Sequence, residues 1–127
     1  MLKTGTSKET GDHAETLALR FLKRQGLSLV ERNYRVARGP TARGGEVDLI
    51  VRAADGTLVF VEVRARASSS HGGAAASITA TKRRRLIFAA QHYLLRWASP
   101  PPCRFDVIAV QGDVIEWLPA AFDAGRG

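Results

Sequence analysis

The chain has 127 residues, of which 45% are hydrophobic and 24% are charged, values typical of one compact globular domain. Its single cysteine excludes an internal disulfide and a thiolate metal cluster, and no segment approaches the roughly 20 apolar residues that cross a bilayer. The formal net charge is +7, from 19 Lys and Arg residues against 12 Asp and Glu residues.

This composition favours certain compartments and partners. The first residues lack the apolar core of a signal peptide, and a lone cysteine suits a reducing compartment, so we expect a cytoplasmic protein with no membrane partner. The positive excess favours an anionic partner, most commonly nucleic acid. Charge alone fits simple solubility equally well, so it leaves both interpretations open.

The first third of the chain predicts a helix followed by a strand. Residues 1 to about 10 are polar and are expected to be loose. From Gly11 onward, apolar residues recur at helical spacing, which predicts an amphipathic helix that stops before Gly26. Residues 27–34 are typical of a strand, and residues 35–45, rich in glycine and arginine, are typical of an exposed turn.

A hairpin is predicted next. Residues 46–52 and 58–64 have strand character, and the Asp55-Gly56 pair between them is a strong hairpin signal. The second of these strands is apolar on both faces, which is typical of a central strand. Residues 67–77 are mostly small, a pattern that fits both a mobile loop over a site and a linker.

The last third predicts a second helix and then strands. Apolar residues at 3.6-residue spacing between Leu86 and Trp97 predict the helix, which three consecutive prolines stop. Residues 104–110 predict a strand, residues 114–118 a further one, and residues 119–127 a loose tail. The order α-β-β-β-α-β, with the further strand, predicts one α/β domain in which helices flank a mixed central sheet.

Two carboxylates occupy strand positions that otherwise belong in a core. Glu62 interrupts an apolar strand, and Asp48 lies in another, although burying an isolated charge costs several kcal/mol unless a partner or metal compensates. A turn centred on Asp55 brings the two close in register, and strand alternation places Arg64 on the face of Glu62. Such a site suits Mg²⁺ or Mn²⁺. A structural ion pair with Arg52, Arg64 or Arg66 is the alternative.

The two segments that contain these carboxylates carry a family resemblance. GGEVDLI (44–50) and FVEVRAR (60–66) match the Asp, then Glu-x-Lys signature of the restriction-endonuclease-like nucleases. The chain resembles, more narrowly, the small YraN-type proteins, which are similar to archaeal Holliday-junction resolvases. Supporting matches are Gly11, Glu15 and Ala18 on the first helix, residues 32–35, residues 82–86, and CRFDVIAV at 103–110.

The resemblance implies a restriction-endonuclease-like fold over residues 1–127 and a metal-dependent endonuclease. Asp48 and Glu62 would ligate the metal, with the backbone carbonyl of Val63 as a further ligand. Glu15 matches a position where related nucleases place an additional acidic residue near the metal. From the residues alone, Glu15 would be an exposed helix residue of no consequence.

Arg64 departs from the signature, because the superfamily usually has lysine there, although arginine is an accepted variant within the YraN-like group. Arginine stays charged, so Arg64 could orient water or steady charge on the phosphorus but could not accept a proton. In that case the metal alone must lower the pKa of the attacking water. Weak activity is therefore a serious alternative.

The start of the second helix is strongly basic. Lys82, Arg83, Arg84 and Arg85 lie where the helix dipole disfavours cations by about 0.3–1 kcal/mol each. Because four cations lie there despite this cost, we predict that they contact nucleic-acid phosphates. An ordinary solvated helix face is the alternative. Residues expected to extend this surface are Arg35, Arg38, Arg43 and Arg66.

The leading hypothesis is a divalent-metal-dependent endonuclease that acts on DNA. Branched or junction DNA and a homodimer are suggested by the resemblance to junction resolvases alone. The alternative is a catalytically weak or inactive nucleic-acid-binding accessory protein with the same fold, which Arg64 slightly favours and the two costly carboxylates oppose. A binder of RNA or ribosomal particles is a third hypothesis, open on charge alone.

Overall fold

Two helices flank one five-stranded sheet in the computed structural model, which describes residues 7–37, 44–66 and 78–123. The elements in chain order are α1 (Ser7–Arg24), β1 (Ser28–Val36), β2 (Gly45–Arg52), β3 (Leu58–Ala65), α2 (Ala80–Leu94), β4 (Cys103–Gln111) and β5 (Val114–Phe122). This order confirms the predicted α-β-β-β-α-β arrangement, including its further strand.

The sheet is mixed, as predicted. Its strands lie in the order β1-β2-β3-β4-β5, and only the β3–β4 pair is parallel. Helix α2 makes the crossover between these two parallel strands, since a parallel pair cannot be joined by a tight turn. Within the described part of the chain, no helix is long and apolar enough to cross a membrane.

A separate core lies on each face of the sheet. Residues Val59 and Val61 of β3 pack in the core that includes α1, whereas Leu58 and Phe60 pack in the core that includes α2. Successive residues of a strand point to opposite faces, so a strand covered by a helix on both sides must be apolar throughout. The predicted central position of β3 is therefore confirmed, with β2 and β4 as its neighbours.

Several elements are longer or shorter than their apolar patterns predicted. Helix α1 begins at Ser7, so residues 7–10, expected to be loose, are helical. Residues 7–10 (SKET) include no apolar residue, so apolar periodicity cannot reveal this turn. Helix α2 ends at Leu94, short of Trp97, and Arg96 Nε donates a hydrogen bond of 3.0 Å to the carbonyl of Tyr93 near that end.

Strand β5 runs to Phe122, beyond its predicted end at residue 118, because a buried carboxylate holds it. Asp106 on β4 is fully buried and accepts hydrogen bonds from Trp117 Nε1 and the Ala120 backbone N–H, both at 2.9 Å. Arg104 Nε donates to the same carboxylate at 3.0 Å. Asp106 is thus a satisfied structural anchor, since the desolvation cost of a buried carboxylate is offset by these donors.

Both edges of the sheet are irregular. The pairing of β1 with β2 shifts register between Leu29 and Glu31, and Asn33 has a positive φ of 57°. On the other edge, the β4–β5 register shifts between Phe105 and Val107, and Ala120 has a φ of 51°. A register shift of this kind leaves an unpaired residue and increases the local twist of the strand.

Helix α2 approaches the start of β2 at Gly45. A side chain at Gly45 would overlap the backbone carbonyl oxygen of Arg85 and press on Ala89. The missing Cβ therefore sets how closely the helix packs on the strand. The close approach of α2 to β2 in turn sets the position of α2 relative to Glu46, the next residue on β2, and Asp48, two residues further along.

Replacing Gly45 with alanine should destabilise the protein, because the added methyl group meets backbone rather than a flexible side chain. We expect a loss of about 1–3 kcal/mol in the free energy of unfolding, measured by urea denaturation. Gly11→Ala is the matched control, since its Cβ meets nothing within 4 Å. In a helix that change should stabilise by about 0.5–1 kcal/mol. Equal effects of the two substitutions would show that α2 does not pack tightly at Gly45.

Candidate metal and nucleic-acid site

The site forms where β2 and β3 stop pairing. Their described ladder runs from Arg52 opposite Leu58 to Leu49 opposite Val61. One residue further along, Asp48 and Glu62 face each other, as the position of the turn predicted. There the backbone N–H of Val63 donates a 2.8 Å hydrogen bond to Asp48 Oδ2, so a side chain replaces the backbone acceptor of a regular ladder.

Burial perturbs both carboxylates. Desolvation, reinforced by the negative charge of Glu62, raises the pKa of Asp48 to about 8, against the lowering effect of the Val63 hydrogen bond. Desolvation also raises the pKa of Glu62, which the charges of Lys82 and Arg64 and a hydrogen bond with Asp48 partly oppose. Near neutral pH the pair therefore favours one retained proton, a state that a bound cation would replace.

Glu15 reaches the same place from helix α1. Only 9% of it is exposed, so the interpretation as an exposed helix residue is wrong. Its Oε1 atom lies 3.3 Å from Arg32 Nε on β1, and Arg32 also donates to the carbonyl of Asp12 at 3.0 Å. Glu15 lines a groove with Asp48 and adds to the negative potential that raises the pKa of Asp48.

Arg64 lies beside Glu62, with Nη1 and Oε2 3.9 Å apart. An ion pair with Arg64 was one of the alternatives to a metal site, and this contact is of that kind. Among the residues that the structure describes, Arg64 Nε is one of two buried side-chain polar atoms without a hydrogen-bond partner, the other being Arg83 Nε. A buried donor left unpaired costs about 1–3 kcal/mol, which an anion in the groove could recover.

The groove has a volume of about 570 Å³. Both helices and both central strands contribute to its lining, which is Gly11, Ala14, Glu15, Glu46, Asp48, Glu62, Val63, Arg64, Ala65, Lys82 and Arg85. The groove thus combines buried carboxylates with cations. This is an arrangement suited to holding a metal ion and a phosphate together.

The donors at the pair are all oxygen, which fits Mg²⁺ or Mn²⁺ better than zinc. Within residues 7–37, 44–66 and 78–123, no group of three or more His, Cys, Asp or Glu side chains is arranged to hold a metal ion. Asp48 and Glu62 would therefore hold a cation together with the Val63 carbonyl and several waters, a ligand set that Mg²⁺ commonly accepts. Lys82 and Arg64 offset the negative charge of Glu62 only in part, since the pKa values of both carboxyl groups remain raised.

The basic run at the start of α2 points in several directions. Lys82 and Arg85, three residues apart, line the groove. Arg84 is exposed and donates to Thr81 Oγ1 at 3.2 Å. The Arg83 guanidinium carbon lies 5.9 Å from the centre of the Phe122 ring on β5, away from that surface. A helix places consecutive residues about a third of a turn apart, so four adjacent cations cannot share one face.

Glu46 links two of the predicted phosphate-binding residues. Its carboxylate lies 3.6 Å from Arg85 Nη2 and 3.5 Å from Arg35 Nε, so it connects α2, β2 and β1. Arg35 is 72% exposed, which leaves its guanidinium free to meet a ligand. The charge of Glu46 also raises the pKa values of Asp48 and Glu62.

Two other predicted binding residues lie elsewhere. The side chain of Arg66 is only 12% exposed and has Nη1 3.9 Å from Glu116 Oε1 on β5, so the structure does not bring it together with Lys82 and Arg85. Arg43 lies outside the described residues, as do Arg38 and residues 67–77. Their expected contributions stay predictions.

Sequence patterns missed two contributors to the site. Arg32 holds Glu15 in place, and Gly45 sets the position of α2. Both act on residues distant in sequence, Arg32 across 17 positions. Both residues lie in segments that carry the resemblance, Arg32 in residues 32–35 and Gly45 in residues 44–50, but the resemblance assigned neither of them a role.

The fold and site define a small α/β protein with a partly buried carboxylate pair beside the basic start of a helix. A model of Uncharacterised protein family UPF0102 matches residues 14–110, and the chain belongs to this family. A UPF0102 protein from Methylibium petroleiphilum is 64% identical over 119 residues, covering 94% of this chain and 98% of that protein. UPF0102 proteins from Albidiferax ferrireducens and Paracidovorax citrulli are both 62% identical and cover 96% and 94% of this chain and 93% and 87% of their own lengths.

The raised pKa of Asp48 predicts that the metal-free protein loses stability as pH rises. A group whose pKa is raised from 3.8 to about 8 on folding stabilises fully below about pH 4, and this contribution is lost as pH rises through 8. Asp48→Asn removes that titration. We compare the free energies of unfolding of the variant and the wild type by urea denaturation in EDTA. The difference, variant minus wild type, should rise by on the order of 2 kcal/mol from pH 5.5 to pH 8.5, because only the wild type loses stability.

Asp55→Asn is the matched control for this prediction. The Thr57 backbone N–H lowers the pKa of Asp55, so the carboxyl is ionised at both pH values and its substitution should have the same effect at each. If Asp48→Asn also shows no dependence on pH, Asp48 does not resist ionisation in the folded protein.

Proposed function

We propose that this protein is a divalent-metal-dependent endonuclease that hydrolyses phosphodiester bonds of DNA, with a restriction-endonuclease-like fold. The observation that carries the proposal is the partly buried Asp48–Glu62 pair, which lies where β2 and β3 separate and beside the basic start of α2. The resemblance to YraN-type proteins and junction resolvases supports the same assignment. Family membership alone names no activity.

In the proposed site, Asp48, Glu62 and the carbonyl of Val63 would hold Mg²⁺ or Mn²⁺, and Glu15 adds negative charge from α1. When bound, the cation would lower the pKa of water and offset negative charge on the phosphate. In the hydrolysis, water forms a new O–P bond while one P–O ester bond breaks. The proton from water passes to solvent, and the leaving oxygen takes a proton from solvent.

Arg64 binds and orients rather than transferring a proton. Its guanidinium lies beside Glu62, and an arginine side chain has no acceptor atom with which to take a proton from water. Its buried, unpaired Nε offers a hydrogen bond to a phosphate oxygen in the groove. Arg64 therefore steadies negative charge as the phosphate is attacked.

The proposed DNA surface runs from Arg35 across Arg85 to Arg84, with the groove beside it. These residues meet backbone phosphates and carry no sequence preference. Branched or junction DNA as the substrate, and a homodimer that cuts two opposed strands, rest on the resemblance to junction resolvases. A cytoplasmic location belongs to the same proposal.

A second candidate is a nucleic-acid-binding accessory protein that does not cut. The contact between Arg64 and Glu62 favours it, because a partner already neutralises one of the two carboxylates. Burial nevertheless raises the pKa values of both carboxyl groups, so Arg64 does not fully offset their negative charge. A site that still favours an added cation supports the nuclease.

Cleavage is tested with labelled four-way-junction, flap, single-stranded and duplex DNA in Mn²⁺, Mg²⁺ or EDTA. We expect cutting only with metal, and a rate at least about 100-fold lower in Glu62→Gln, which keeps the shape of the side chain but removes its charge. Glu116→Gln, on β5 beside Arg66, is the matched control and should cut at the wild-type rate. Binding of DNA without cutting in either metal would favour the accessory role.

Metal binding is tested separately by thermal unfolding without DNA. Mn²⁺ at about 100 times its dissociation constant should stabilise the wild type by about 2.7 kcal/mol, because only the folded state binds it. Asp48→Ala should abolish this stabilisation, whereas Asp113→Ala, in the turn between β4 and β5, should retain it. Equal responses of the wild type and Asp48→Ala would exclude a metal site at the pair.

A further inference from the structure

Lys82 differs from the three arginines that follow it. It is the third residue of α2, and its backbone N–H donates a 3.1 Å hydrogen bond to Thr79 Oγ1, which caps the helix. This bond caps the first turn of α2. The Lys82 side chain lines the groove together with Asp48 and Glu62.

Each of the three arginines has a protein partner in the described structure. Arg83 packs over the Phe122 ring, Arg84 donates to Thr81, and Arg85 lies against Glu46. Lys82 has no ion-pair partner within the part of the chain that the structure describes. Its side chain instead lines the groove in which Asp48 and Glu62 lie.

We propose that Lys82 belongs to the carboxylate site and supplies its positive charge to the reacting phosphate, an assignment that rests on the proposed nuclease function. The ammonium group is a compact charge on a flexible stem, so it can follow the phosphate during attack. The Arg64 guanidinium is half-buried against Glu62 and has less freedom to move. In this role Lys82 supplies charge and transfers no proton; the proton released by water passes to solvent.

This role predicts that the loss of Lys82 changes the cleavage rate without an equal change in the affinity for DNA. A residue that acts at the reacting phosphate lowers the rate at saturating protein but contributes little to the affinity for DNA. A residue that contacts other backbone phosphates weakens binding and leaves the rate at saturation unchanged. Lys82 and Arg84 lie two residues apart on one helix and are assigned these two roles.

The test compares Lys82→Ala with Arg84→Ala in the full chain. Alanine is a good helix former and retains the backbone N–H that binds Thr79, so both variants should fold. The measurements are the affinity for a four-way junction in EDTA, the single-turnover cleavage rate in Mn²⁺ at saturating protein, and the affinity for Mn²⁺ without DNA.

For Lys82→Ala we expect a cleavage rate at least about 100-fold lower and a DNA affinity within about 3-fold of the wild type. Its Mn²⁺ affinity should rise by about 3-fold, because a positive charge beside the carboxylates has been removed. For Arg84→Ala we expect the opposite balance: a larger loss of DNA affinity than in Lys82→Ala and a much smaller loss of the cleavage rate at saturation.

An unchanged cleavage rate in Lys82→Ala, or weaker DNA binding that accounts for the whole loss, would overturn the proposal. If the wild type cuts no substrate, the nuclease function fails by itself. The Mn²⁺ affinities then decide the placement of Lys82: tighter binding in Lys82→Ala supports its place at the pair, and unchanged binding overturns it.

Discussion

The hydrogen bond from the Val63 backbone N–H to the Asp48 carboxylate is the interaction on which the site depends. It satisfies a backbone donor that would otherwise lose its partner where β2 and β3 separate. It also holds Asp48 against Glu62, at a depth where both carboxylates resist ionisation. One bond therefore marks the end of the strand pairing and holds Asp48 at the acidic pair.

Local patterns predicted the acidic pair correctly because its geometry is local. The Asp55-Gly56 turn sets the hairpin register, and register determines which residues of β2 and β3 face each other. Alternation along β3 likewise predicted its central position. The surroundings of Glu15 lay beyond such patterns, since its burial depends on Arg32 from another element.

The directions in which the basic side chains at the start of α2 point were the least predictable part of the site. Four consecutive cations look alike in sequence, yet the helix turns them toward the groove, toward Phe122 and toward Thr81. Arg35 is exposed beside the groove, whereas Arg66 is largely buried near Glu116 on β5. Charge in a sequence indicates a surface, whereas only packing decides which side chains share it.

The irregular edges of the sheet restrict how two molecules can meet. On one edge, the register shift in β1 interrupts the row of backbone groups that an added strand would need. On the other, Pro119 offers no N–H and Ala120 has left-handed backbone angles, because Asp106 holds this segment in place. Neither edge is a good template for another strand, so a pair of molecules would associate through helix faces and side chains rather than by forming one continuous ten-stranded sheet.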